Sequence, residues 1–119
     1  MTYDDLVQIV DAETGVLLRN VGDATMFRTL QARQITDAER EEAGRSWIQM
    51  HLHDLRRLIC SSLLYQTYAS SKRAQDRVML VAAIADLITS ITSGLAAVSV
   101  AVLIVRESLI SFCGGDEKR

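Results

Sequence analysis

The longest periodic signal in the chain runs through its middle. Ile48, Leu52, Leu55, Ile59 and Leu63 recur at i, i+4, i+7, i+11 and i+15, which sets them on one face of a helix. A start signal precedes them. Thr36-Asp37-Ala38-Glu39 is a capping box, with Thr36 at the N-cap and Glu39 reaching back to it. Asp37, Glu39, Glu41 and Glu42 crowd the first turns, where the helix macrodipole favours acids. The chain contains no proline, so the pattern predicts one amphipathic helix across residues 36–77. Its weak point is Gly44, which costs about 1 kcal/mol relative to alanine inside a helix and marks a place for a break.

Upstream, Val7 and Ile9, then Val16 and Leu18, alternate with other side chains on either side of Asp11-Ala12-Glu13-Thr14-Gly15. Alternation around a glycine-containing loop predicts a short β-hairpin in the segment 1–35. The competing reading is a helix capped by Thr2, with Asp5 three residues on. Asp23 is positioned to cap a further short helix carrying Met26, Phe27 and Leu30.

The last pattern has no polar face. From Val78 to Val105, 21 of 28 residues are apolar, and the 19 residues from Leu87 to Val105 carry no charge. Nineteen helical residues measure about 28 Å, close to the ~30 Å of a hydrocarbon core. Asp86 and Arg106 bracket the stretch, so segment 78–112 is expected to be a membrane-spanning helix, followed by a polar tail, 113–119. The alternative is a wholly buried helix, or two helices meeting at Ser93-Gly94, inside a water-dissolved bundle that would have to oligomerise to cover it. Asp86, Ser90, Ser93, Gly94, Ala97 and Ala101 would form a stripe of small and hydroxylated residues along one side of a continuous helix. Such a stripe lets helix backbones approach and predicts self-association. Leu87, Ile91, Leu95, Val98, Val102 and Val105 would face lipid.

Composition sharpens this layout. The whole chain is 49% apolar over 119 residues, but the apolar block holds most of the excess. Charge is polarised too: residues 1–42 carry nine acids and four bases, residues 45–77 two acids and six bases. Arg56, Arg57, Lys72, Arg73 and Arg77 therefore read as a juxtamembrane basic segment facing anionic headgroups. They form a poor nucleic-acid footprint, with no glycine-rich or aromatic ladder beside them. The start, MTYDDLVQ, has no cationic stretch and predicts a cytoplasmic amino terminus without a cleaved leader.

Candidate chemistry is sparse. His51 and His53, two apart, fall on nearly opposite helix faces and cannot share a metal there. His53 and Cys60 share a face but lie two turns apart, beyond hydrogen-bond reach. Cys60 and Cys113 match neither a disulfide framework nor a zinc spacing, and Cys113 reads as a free thiol. No phosphate-binding loop, dinucleotide fingerprint or zinc-protease motif occurs. Asp86, the one ionisable side chain in the apolar block, is a functional candidate as an intramembrane carboxylate and a boundary marker if it meets water at the membrane interface.

The sequence thus predicts a mainly α protein without enzymatic activity or cofactor. It is expected to be membrane-anchored and homo-oligomeric, to contact lipid, to perturb or perforate the bilayer, and to bind a protein partner through its amino-terminal segment. The alternative function is that of a soluble all-helical oligomerisation or structural module with a buried C-terminal helix.

Overall fold

A computed structural model describes residues 2–25, 35–66 and 77–114. All regular structure among them is helical: α1 (Tyr3–Val10), α2 (Thr14–Thr25), α3 (Asp37–Met50), α4 (Leu52–Cys60), α5 (Arg77–Leu87), α6 (Gly94–Glu107) and α7 (Leu109–Phe112), with a further helical turn at 63–66. The residues that suggested a hairpin fold instead into α1 and α2. Local capping decides it. The Thr2 hydroxyl accepts from the Asp5 backbone N–H, while the Asp5 carboxylate accepts from the Thr2 N–H. The intervening turn is Asp11-Ala12-Glu13, and Gly15 lies inside the first turn of α2. Met26, Phe27 and Leu30 lie outside the described residues; Asp23, expected to cap them, sits within α2.

The capping box at Thr36 forms as the sequence predicts, Glu39 N–H to Thr36 Oγ1 at 3.1 Å and Thr36 N–H to Glu39 Oε1 at 2.9 Å. The helix it starts does not run to 77. It bends at His51, whose Nδ1–H donates to the Trp47 carbonyl at 2.9 Å and whose ring stacks on the Trp47 indole. It then ends at Cys60, where the Ser61 and Ser62 hydroxyls turn back onto the carbonyls of Arg57 and Ile59. Gly44 is not the break. It lies inside α3 at the crossing with α2, where an added Cβ would stand 2.1 Å from the Leu18 carbonyl oxygen. Gly22 answers it from α2: a Cβ there would lie 1.9 Å from the Arg40 carbonyl oxygen. Two facing glycines let the helix backbones touch. Arg40 clamps the seam by gripping both Asp23 oxygens at 2.6 Å, and Arg19 reaches Glu41 at 2.6 Å. The Asp23 hydrogen bonds raise the Arg40 pKa further above its ordinary value.

The apolar block also breaks. α5 and α6, 11 and 14 residues long, are separated by Ile88–Ser93. The break follows from the local sequence Thr89-Ser90-Ile91-Thr92-Ser93-Gly94. Thr89 Oγ1 donates back to the Asp86 carbonyl at 3.1 Å, Ser93 is extended, and Gly94 takes φ +65. At about 16 and 21 Å, the two pieces fall well short of a ~30 Å hydrocarbon core. No helix among the described residues is long and apolar enough to cross a membrane. The expected single spanning helix is therefore replaced by two short ones, with the turn close to the Ser93-Gly94 point that the bundle alternative names.

What covers these helices is the rest of the chain. α6 is flanked by α1, α2, α5 and α7. Every residue from Ala96 to Val102 is buried, which takes in all sides of the helix across nearly two turns. Leu17 and Val21 of α2, Leu55 and Ile59 of α4, and Val81 and Ile84 of α5 belong to the same core. Ser99, fully buried on α6, accepts a 3.0 Å hydrogen bond from Asn20 Nδ2 of α2.

Candidate functional site

A cleft of about 260 Å3, lined by both apolar and polar side chains, lies between the α3–α4 bend and α6. Ile48 and Leu52 form one wall, Val100, Leu103 and Ile104 the other, and Phe112 of α7 closes an end. Gln49, Arg56 and Glu107 stand at its polar edge. The periodicity that predicts the amphipathic helix explains half of this site. Ile48 and Leu52 remain half-buried on the predicted apolar face, while Leu55 and Ile59, one and two turns on, are fully enclosed. Leu63, the last member of that face, is 75% exposed. The other wall comes from α6, whose all-round hydrophobicity serves four neighbouring helices and still leaves Leu103 for the cleft.

The Phe112 end is built by residues far apart in sequence. Ser108, at φ 93, turns the chain sharply after α6, so that Leu109 and Phe112 bury. Arg56 Nε–H donates to the Phe112 carbonyl at 2.9 Å, and its guanidinium carbon lies 5.5 Å from the centre of the Phe112 ring. One residue further, Cys113 is joined to Cys60 at the end of α4 by a disulfide, with the Cα atoms 5.7 Å apart. The pairing corrects the expectation of free thiols. The helical reading placed the two cysteines in segments that only a fold-back at Ser108 brings together.

The basic segment is dispersed. Arg56 serves Phe112, Arg57 pairs with Asp54 at 3.4 Å, and Arg77 is exposed at the start of α5; Lys72 and Arg73 lie outside the described residues. The small-residue stripe is likewise divided by the break. Asp86, Ser90, Ser93 and Gly94 are exposed at the α5–α6 turn, whereas Ala97 and Ala101 are buried in the core. On the side expected to face lipid, Val98 and Val102 are buried as well. Arg106, read in the sequence as a boundary residue, ties the end of α6 to the α1–α2 turn. Its guanidinium donates to the carbonyls of Val10 (2.9 Å) and Ala12 and to Thr14 Oγ1 (3.3 Å), capping the C-terminus of α1 with a cation.

His51 is occupied by Trp47, His53 is exposed, and Cys60 is oxidised. Among the described residues no three His, Cys, Asp or Glu side chains converge as metal ligands. The cleft offers apolar walls beside a polar edge that carries one charge of each sign, Arg56 and Glu107. No protein-family model, curated protein or solved structure matches the chain.

Proposed function

We propose that the chain is a soluble, all-helical interaction module that works by binding, without catalysis. The observation that supports this reading best is the enclosure of α6 by its own chain. A helix apolar on all sides needs either lipid or protein around it, and here α1, α2, α5 and α7 supply protein. The Asn20–Ser99 hydrogen bond fits that environment, since it pairs a core hydroxyl with a side chain of a neighbouring helix. A bilayer-spanning form would have to straighten Ile88–Ser93 and strip α6 of these neighbours. Self-assembly then becomes optional: with the apolar helix covered, oligomerisation is no longer required to shield it, and the cleft at the α3–α4 bend offers a place for a partner's side chain.

Alkaline carbonate extraction of cells expressing the chain tests the reading, with light scattering on the detergent-free product. The protein should leave the membranes and scatter as one discrete species. Retention in the carbonate-washed pellet would refute it and return the bilayer-anchored alternative.

A further inference from the structure

α7 is too short to stand alone. Its four residues are far below the length at which a helix persists in water. Three devices hold it to the body: burial of Leu109 and Phe112, the Arg56 contacts to Phe112, and the Cys60–Cys113 disulfide. They differ in kind. Ordering the backbone from Ser108 to Cys113 carries an entropy cost of the same order as the gain from burying two side chains. The cross-link, which closes a 53-residue separation, therefore tips the balance towards docking.

We propose that the Cys60–Cys113 disulfide is a redox-released strap: reduction frees α7 and exposes the buried side chains of Leu109 and Phe112 together with the cleft surface that Phe112 lines. Both cysteines are half-buried at the ends of short helices, within reach of an attacking thiolate. The reductant is a dithiol. Its thiolate attacks one sulfur of the cystine and forms a mixed disulfide while the other cysteine leaves as thiolate and takes up a proton. The second thiol of the reductant then displaces the remaining cysteine. Two electrons pass to the protein, the reductant ends as its own disulfide, and Cys60 and Cys113 end as thiols. Ser108 supplies the pivot, since its positive φ already separates α7 from the hydrogen-bond ladder of α6.

The test compares the full chain before and after dithiothreitol, and after reoxidation. Amide exchange at Ser111, Phe112 and Cys113 reads α7 directly, because their N–H groups bond to Ser108 Oγ, the Ser108 carbonyl and the Leu109 carbonyl. On reduction those amides should exchange roughly tenfold faster or more. Binding of the probe 8-anilinonaphthalene-1-sulfonate should rise, far-UV circular dichroism should stay nearly constant, and reoxidation should reverse both changes. C113S should match the reduced protein without reductant. Phe112→Ala, with the disulfide intact, should bind the probe in either redox state. Equal exchange and probe binding in the two redox states would overturn the proposal, because docking would then need no cross-link. Collapse of the helical signal on reduction would also overturn it, by making the disulfide a staple of the whole fold.

Discussion

Replacing Gly44 with alanine poses the sharpest test of how α2 and α3 meet. In an isolated helix the change would help, by about 1 kcal/mol of propensity. Here the new Cβ would stand 2.1 Å from the Leu18 carbonyl oxygen and 3.2 Å from the Gly22 nitrogen, both backbone atoms that cannot rotate away. The helices must part by about 1 Å, and a gap of that size forfeits a quarter to a half of the dispersion energy of each separated pair. Overpacking of this kind costs about 3 kcal/mol and sometimes more. Allowing for a further ~1 kcal/mol of lost contacts around buried Leu18 and subtracting the propensity gain leaves about 2–4 kcal/mol of destabilisation, or roughly 8–15 °C in Tm for a chain of this size. Thermal unfolding followed by circular dichroism measures it. Gly15→Ala is the internal control. Its Cβ would meet only the flexible ends of Glu41 and Arg19, at 3.2 and 3.4 Å, so that variant should be neutral or stabilised by up to about 1 kcal/mol. The double variant Gly22→Ala/Gly44→Ala should cost clearly less than the sum of the single changes, since helices already parted by one methyl accommodate the second. If Gly44→Ala matches the Gly15 control, the two backbones do not touch and the reasoning fails.

Other expectations follow from the core and its ties. Ser99→Leu should destabilise the fold by about 3 kcal/mol or more, because a fully buried site beside Asn20 has no room for the larger side chain; denaturant unfolding reads the loss, and a gain would indicate a lipid-facing position. Ala97→Leu should likewise cost about 1–3 kcal/mol while Ser93→Leu changes stability by less than about 0.5 kcal/mol, since only Ala97 is enclosed. Arg106→Ala should cost about 1–2 kcal/mol in the same assay by uncapping α1, with exchange rising first at Asp11 and Ala12, whose N–H groups bond to the Val7 and Ile9 carbonyls.

The sequence announces the parts of this fold that local chemistry controls. The Thr36–Glu39 box is visible in four letters, and the Thr2–Asp5 box is equally visible, though alternating Val7, Ile9, Val16 and Leu18 argue against it. Alternation loses there because two caps and an Asp11–Glu13 turn satisfy the backbone without a strand partner. The apolar block is legible as buried, yet the identity of its surroundings is not. Lipid and a protein core select the same side chains, and what separates them is Thr89–Gly94, where clustered hydroxyls and one glycine end a helix that hydropathy alone would extend. The meaning of Gly44 was hidden for a different reason. A glycine that weakens a helix and a glycine that admits a neighbouring backbone look alike until Gly22 is set opposite it. Contacts that join distant segments, Arg56 to Phe112, Arg106 to Val10 and Cys60 to Cys113, leave no local signature at all. They depend on the reversal at Ser108 and on where α1 lands against α6, both of which are products of packing.

Enclosure of α6 by its own chain is the claim on which the rest depends, and hydrogen exchange in detergent-free buffer tests it most directly. The amides from Val98 to Val102 should exchange only through global unfolding, with an opening free energy equal to that from denaturant titration of the same sample. Rapid exchange of those amides in water, with protection appearing only when detergent or lipid is added, would contradict the account.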